Sequence, residues 1–133
     1  MRSLSLLIIA MLMAACASSP TARTVATFTG DYIDARKDST AKIRSVHKAP
    51  LHVPVYLIAH DIDASAVVAF MVETDGRTSE VQIVSTTDDE FAEAVRESLL
   101  NWRYAPPIRD GTPVRVVLEE SISYSYNRYP RTP

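Results

Sequence analysis

Residues 66–126 read AVVAFMVETDGRTSEVQIVSTTDDEFAEAVRESLLNWRYAPPIRDGTPVRVVLEESISYSY. This stretch decides the fold because its hydrophobic period changes from two to about 3.6 and back to two. In its first run, every second residue from Ala66 to Val72 is apolar, which is typical of a strand with one face on a core. A second strand is predicted from Glu80 to Ser85. Between the two strands, Asp75 and Gly76 favour a tight reversal because both residue types tolerate a positive φ.

The sequence after this hairpin predicts one helix. Thr87 and Glu90 have the spacing of a capping box, in which the Thr87 hydroxyl accepts the Glu90 amide and the Glu90 side chain reaches back. Residues on one helical face then recur at spacings of three and four: Phe91, Ala94, Val95, Ser98, Leu99 and Trp102. Pro106 and Pro107 prevent the helix from continuing.

A third strand is predicted after a turn at residues 109–113. Its apolar residues alternate with polar ones: Val114, Val116, Leu118, Ile122, Tyr124 and Tyr126. Glu120 interrupts the apolar face, either at a bulge or where the strand extends beyond the helix that covers it. The predicted fold class is α+β, a two-layer ββαβ domain with one helix packed on one face of a three-stranded antiparallel sheet. The predicted core consists of Phe70, Val72, Val81, Ile83, Phe91, Val95, Leu99 and Trp102.

The N-terminus is predicted to carry an export signal. After Arg2, an apolar run that ends at Cys16 is too short to span a bilayer as a permanent helix. Met13-Ala14-Ala15-Cys16 resembles the lipobox of bacterial lipoproteins, whose cysteine is lipidated and becomes the new N-terminus. Cys16 is the sole cysteine, so it cannot form an internal disulfide, and lipidation would remove a free thiol from an oxidising compartment. The alternative is an ordinary cleaved signal followed by a chance cysteine.

The signal also predicts how the chain is organised and where it is located. By resemblance to lipoprotein sorting rules, Ala17 after the cysteine favours the outer membrane of the bacterial cell envelope, with the domain facing the periplasm. Residues 30–46 fit either a short helix or a solvated, loosely ordered segment, and residues 55–59 are expected to pack on the hairpin or to add an edge strand. The expected regions are 1–15, a cleaved signal peptide; 16–49, a lipid-anchored tether; 50–127, the folded domain; and 128–133, a flexible tail.

Composition and motifs argue against catalysis and against nucleic-acid binding. The formal net charge is −2, and removal of residues 1–15 takes away only Arg2, so no basic excess remains. The three glycines cannot build a phosphate-cradling loop or a nucleophile elbow. Metal-capable side chains in one irregular stretch lack the ligand spacing of a zinc site: His47, His52, His60, Asp61 and Asp63. We therefore expect no enzyme, no cofactor, no metal site, no nucleic-acid partner and no small-molecule substrate.

Three segments together carry a resemblance to a known family. FMVETDGRTSEVQIVS, FAEAV and NWRYAPPIRDGTPV resemble, in order and spacing, the C-terminal domain family of the energy transducer TonB. The resemblance covers roughly Ala64 to Tyr126. It includes the alternating strand, the turn at Asp75 and Gly76, the VQIVS strand, the helix, and the WRY sequence followed by Pro106.

The resemblance implies a binding function. In this family, an extended peptide of an outer-membrane receptor, or of another envelope protein, adds as a strand alongside the last strand. The corresponding edge here would run from about Val114 to Tyr126, and its partner-binding residues would be Val114, Arg115, Val116, Val117, Leu118 and Glu119. Alternate side chains, Arg115, Val117 and Glu119, are then expected to give selectivity. An exposed edge could equally pair with a second copy and form a homodimer.

The family's energy-transducing role is a separate question. The resemblance implies that a full transducer has an inner-membrane helix and a long proline-rich spacer, and this sequence displays neither. We therefore expect a lipid-anchored periplasmic binding module, auxiliary to TonB-dependent transport and attached to the membrane through its lipid. Two alternatives stay open: a divergent transducer that works through a partner, and a structural envelope lipoprotein that uses the fold as a scaffold.

Overall fold

A computed structural model of the chain describes residues 23–38 and 43–126. The predicted signal peptide, the lipidation site Cys16 and the predicted tail 128–133 lie outside these described residues. Its elements in chain order are β1 (Ile33–Asp34), β2 (Ser45–His47), α1 (Val55–Ala59), β3 (Ala64–Val72), β4 (Thr78–Thr86), α2 (Asp89–Leu100), β5 (Arg103–Tyr104), β6 (Ile108–Arg109), β7 (Thr112–Pro113) and β8 (Val116–Tyr124). Within this part of the chain, no helix has the length and apolar character needed to cross a membrane.

Strand β3 is central in the main sheet, whose strand order is β1-β8-β3-β4. It pairs antiparallel with β8 without a register shift, and antiparallel with β4 with two register shifts. β1 joins the outer edge of β8 in parallel orientation. The predicted α+β class is therefore confirmed, but the three-stranded sheet is wrong because a segment upstream of the predicted domain adds a fourth strand.

The main core lies between α2 and one face of the sheet. Alternate residues of β3, from Ala64 to Val72, pack there against Val95 and other residues of α2, and Leu57 of α1 is fully buried in the same cluster. Most of the predicted core side chains are less than 8% exposed: Phe70, Val72, Val81, Phe91, Val95, Leu99 and Trp102. Ile83 differs, because it is only partly buried and packs at the border of the cluster.

Helix α2 begins one residue later than the predicted capping box implies. Its N-cap is Asp88, whose carboxylate accepts the amide of Phe91 at 2.8 Å. Thr87 instead bonds to β3, since its hydroxyl accepts the Ser65 amide at 2.9 Å. The Tyr56 hydroxyl of α1 also donates to Asp88, and this hydrogen bond, followed by that of the Phe91 amide, holds the pKa of the Asp88 carboxyl below its usual value. Asp88 suits the cap because one of its oxygens binds the helix while the other binds α1.

Glu120 interrupts the apolar face of β8 without forming a bulge. The register between β3 and β8 runs unbroken through it. Its carboxylate lies 3.7 Å from the ammonium of Lys48, and that ammonium lies 4.2 Å from the centre of the Trp102 ring. Lys48 therefore covers the aromatic side chain and balances the acid at the same time.

The N-terminal region differs most from the prediction. In residues 30–38 and 43–46, the described parts of the possible helix, the chain forms β1, a turn and part of β2. Residues 23–38 are named the strap from here on. Ala26 and Phe28 of the strap pack on the face of the sheet opposite α2, and its β1 lies at the edge of β8. The apolar run 55–59 forms the short helix α1 and not an edge strand. The predicted tether 16–49 is thus in part a packed component of the domain.

The hairpin turn depends on Gly76. Its φ is +84°, in the region that favours glycine, and its amide donates to the Glu73 carbonyl at 2.9 Å. A Cβ at this position would lie only 2.0 Å from the backbone oxygen of Tyr104, which is far too close for two non-bonded atoms. Gly111 provides a contrast, because its φ is +77° but a Cβ there would meet nothing within 4 Å.

We expect Gly76→Ala to lower the free energy of unfolding by about 3 kcal/mol or more, through backbone strain and the clash with Tyr104. The matched variant Gly111→Ala carries the same unfavourable φ without a clash, and should cost about 1–2 kcal/mol. Chemical denaturation followed by circular dichroism measures both values. Equal losses in the two variants would contradict the close approach of β5 to the turn.

Candidate docking edge on strand β8

Strand β8 has one edge against β3 and one edge that faces outward. In a regular strand, the N–H and C=O groups of one residue point to the same side, and the side alternates from residue to residue. The carbonyls of Arg115 and Val117 accept hydrogen bonds from the strap, which shows that they point outward. Since the β3–β8 register is unbroken, the backbone groups of Glu119, Ser121 and Ser123 point to the same outer edge.

The first part of this edge is occupied by β1. The Ile33 amide donates to the Arg115 carbonyl at 2.9 Å, and the Ala35 amide donates to the Val117 carbonyl at 3.0 Å. β1 therefore occupies part of the predicted partner-binding stretch 114–119, whose role in binding a partner stays a prediction. The physical reason is that an unpaired strand edge is satisfied by any extended segment within reach, here one from the same chain.

The second part of the edge is open. Among residues 23–38 and 43–126, no other strand pairs with the outward backbone groups of Glu119, Ser121 and Ser123. The side chains of Ser121 and Ser123 are exposed, so these groups are accessible to an incoming chain. Such an edge offers alternating donors and acceptors to an extended peptide.

The opposite edge of the sheet, on β4, is less suited to strand addition. The Val84 carbonyl accepts the Thr24 amide at 2.8 Å, and the Val81 carbonyl accepts a guanidinium N–H of Arg96 at 2.6 Å. The two register shifts between β3 and β4, together with Glu80 at a φ of +49°, also distort this strand. The regular stretch 119–123 of β8 is therefore the better candidate for docking.

Arg115 connects the start of β8 to three other parts of the domain. Its Nε lies 2.8 Å from Glu73 Oε2, its Nη2 lies 2.7 Å from Glu80 Oε1, and its Nη1 donates to the Thr29 carbonyl at 3.0 Å. The hydrogen bonds from Arg115 hold the pKa of the Glu73 carboxyl below its usual value, and the same pairing raises the pKa of Arg115. Arg115 thus fixes the strap against the β3–β4 hairpin.

The other two side chains predicted to select a partner are Val117 and Glu119, which lie on the same face of the sheet as Arg115. Val117 is fully buried. Glu119 forms an ion pair with Arg23 of the strap at 3.0 Å. By alternation along β8, the side chains of Arg115, Val117 and Glu119 lie on the face opposite α2. Arg115 and Glu119 contact the strap there, and the role of the three side chains in selecting a partner stays a prediction.

The remaining residues of the predicted edge have different surroundings. Val116 is 1% exposed and Leu118 packs against the core under α2. Val114 precedes β8, and its amide donates to the Pro107 carbonyl at 2.9 Å. These three residues shape the start of the strand, and their side chains do not lie along the open stretch.

No cluster of metal-binding character occurs in the described ranges 23–38 and 43–126, where no three His, Cys, Asp or Glu side chains are placed to hold an ion. The histidines considered in the sequence, His47, His52 and His60, are all exposed.

Comparison with known proteins identifies the family. A family model described as the Gram-negative bacterial TonB protein C-terminal matches residues 51–126, more than half of the 133-residue chain. The chain belongs to the TonB C-terminal family. The solution NMR structure of the Pseudomonas aeruginosa TonB CTD is similar, with a TM-score of 0.54 and 20% sequence identity, over 65% of this chain and 89% of that one. At that identity the likeness shows the fold alone. No curated protein matches the chain.

The family match begins at residue 51, so it does not include the strap, residues 23–38. The sequence of this TonB-like domain does not predict the strap, because residues 17–29 are rich in small polar side chains. One signal is present: in VATFT, residues 25–29, β-branched and aromatic residues dominate, and Phe28 lies between two threonines. Ala26 and Phe28 are the residues that pack against Ala69 and Val84 of the sheet.

Proposed function

We propose that this chain is a lipid-anchored periplasmic binding module that captures an extended peptide by strand addition, auxiliary to TonB-dependent transport. The peptide would belong to an outer-membrane receptor or to another envelope protein. The observation that carries the proposal is the open stretch of β8, a regular strand in which no other strand among residues 23–38 and 43–126 pairs with the outward backbone groups of Glu119, Ser121 and Ser123. Membership of the TonB C-terminal family supports it, because domains of this family are periplasmic modules that bind envelope proteins.

The surroundings of the open stretch indicate what kind of peptide fits. On the α2 side, the side chains of β8 along and just beyond this stretch are Glu120, which pairs with Lys48, and the partly buried Ile122 and Tyr124. On the other side they are Glu119, which pairs with Arg23, and the small hydroxyl side chains of Ser121 and Ser123. A peptide that places apolar residues beside Ile122 and Tyr124 and small polar or basic residues on the other side would match this stretch, while its backbone supplies most of the affinity.

A lipid on Cys16 would hold the domain close to the membrane surface. Arg23 is already fixed to Glu119, so only residues 16–22 separate the lipid from the sheet. Seven residues cannot reach beyond about 25 Å in any conformation. The anchor and the packed strap therefore favour a binding module that acts near one membrane over a device that spans the periplasm.

Lipid attachment is tested by metabolic labelling of growing cells with a palmitate analogue. We expect label on the wild-type chain and none on Cys16→Ser, because the proposed acceptor is the only thiol of the chain. Cys16→Ala serves as a second acceptor-free control. Label that persists in both variants, or no label on the wild type, contradicts the lipid anchor.

Strand addition is tested by photo-crosslinking in cells from a benzoylphenylalanine placed at Ser123. We expect adducts with an outer-membrane receptor or another envelope protein. Ser121→Pro should reduce these adducts at least about tenfold, because it removes an outward N–H while leaving the ladder with β3 intact.

The matched control for that experiment is Ser121→Ala, which removes the hydroxyl and keeps the N–H. It should crosslink like the wild type. Equal adducts from the proline and alanine variants, with circular dichroism showing that both are folded, would mean that β8 does not bind the partner through its backbone.

A further inference from the structure

The strap forms with β8 the kind of contact that is proposed for the partner. It supplies an extended backbone, runs parallel to β8, and donates the amides of Ile33 and Ala35 to outward carbonyls. Each outward N–H and C=O of the strand can take one strand partner at a time. A peptide and the strap therefore cannot occupy the same section of the edge together.

We propose that β1 is an internal competitor for the docking edge, so that the chain exchanges between a closed state with the strap bound and an open state with the strap released. This inference rests on the proposed function and adds its regulation. In the closed state, a partner can use only the stretch 119–123. In the open state, the outward groups of Arg115 and Val117 join it, and the edge becomes continuous from residue 115 to residue 123.

The side-chain hydrogen bonds that hold the strap lie at the surface, including the one from Arg109 to Asp38 at 2.7 Å. β1 is two residues long, whereas β8 and β3 pair over their full nine-residue lengths. The pair between Arg23 and Glu119 is solvent-exposed, with 64% of the Arg23 side chain accessible. Thr27 and Gln82 exchange two hydrogen bonds, of 3.1 and 2.6 Å, also at the surface. Segments held in this way open locally at a lower free-energy cost than the core does.

Apolar contacts give the closed state its preference when no partner is bound. Ala26 is 7% exposed, and it packs with Phe28 against Ala69, Val84 and Val67. Release of the strap would expose this apolar patch to water, which is unfavourable until another chain covers it. The closed state is thus favoured in the free protein, while a partner that binds the whole edge favours the open state.

Two charged side chains on the strap side of β8, Arg115 and Glu119, each lose one contact when the strap is released. Arg115 donates to the Thr29 carbonyl at 3.0 Å while it remains paired with Glu73 and Glu80. When the strap leaves, Arg115 keeps its two carboxylate partners and frees one N–H for the backbone of an incoming peptide. Glu119 similarly loses Arg23 and becomes available to a basic side chain.

The test uses the strap's own sequence as the probe, so no partner needs to be known. In the full chain in detergent micelles, the double variant Ile33→Pro with Ala35→Pro removes the two strap donors. A synthetic peptide of residues 28–38, FTGDYIDARKD, is then titrated while amide resonances are followed by NMR. We expect binding at least about tenfold tighter than to the wild type, because the wild-type edge is mostly occupied and its apparent affinity falls with the competent fraction. The shifts should centre on residues 114–118.

Two controls isolate the main-chain contact. The double variant Ile33→Ala with Ala35→Ser keeps both N–H groups and should bind the peptide as weakly as the wild type. The peptide carrying Ile33→Pro and Ala35→Pro should not bind any of the proteins. Equal binding by the wild type and the proline variant, or shifts outside β8, would overturn the inference.

Slow amide exchange in β3 would show that the double proline variant is folded. If it is not folded, a second variant keeps the proposal testable. Arg23→Ala leaves β1 unchanged and removes only the contact with Glu119, so peptide binding should tighten by a smaller factor, about two- to fivefold. If the affinity for the peptide rises neither in Arg23→Ala nor in the double proline variant, the internal competitor is overturned.

The crosslinking assay separates this inference from the proposed function. If the double variant Ile33→Pro with Ala35→Pro gives more partner adducts at Ser123 than the wild type, both the internal competitor and the proposed function are supported. Equal partner adducts in the two proteins overturn the competitor and leave strand addition in place. Peptide binding that depends on release of the strap, without any envelope adduct in cells, supports the competitor and overturns the proposed function.

Discussion

The unbroken antiparallel ladder between β3 and β8 is the constraint on which the rest of the structure depends. It runs from the pair Ala64–Tyr124 to the pair Val72–Val116 without a register shift. A one-residue slip would exchange the two faces of β8, and would move Val116 and Leu118 from the core under α2 to the opposite face. The same regularity determines which backbone groups of β8 point outward. The core and the docking edge therefore follow from one register.

The two faces of this ladder are covered in different ways. On one face, α2, α1 and the aromatic side chains after α2 form the main core, with Phe70 6.3 Å from Trp102 between ring centres. On the other face the cover is the strap, attached through Ala26, Phe28 and the hydrogen bonds of Arg115. A helix held by a large apolar stripe is a permanent layer, whereas a short extended segment is a replaceable one. This asymmetry is the physical basis of the proposed exchange at the outer edge of β8.

Local patterns predict the hairpin, the helix and the last strand, because the periods of their apolar residues are properties of contiguous sequence. The predicted N-cap is wrong by one residue, since Thr87 and Asp88 are both capping residues and the choice depends on Ser65 and Tyr56, which are distant in sequence. The strap escapes prediction for a similar reason. Its pairing with β8 joins residues about 80 apart, and nothing in the sequence near β8 indicates which segment would lie beside it. The open part of the edge can be located only once that segment is placed.

The outer edge of β8 has a part occupied by β1 and, among residues 23–38 and 43–126, a part with no strand beside it. Hydrogen exchange of individual amides in the free protein, followed by NMR, distinguishes the two parts. We expect the amides of Ile33 and Ala35 to exchange at least about tenfold more slowly, relative to their intrinsic rates, than those of Ser121 and Ser123. Exchange of Ile33 and Ala35 that is as fast as that of Ser121 and Ser123 would contradict this expectation.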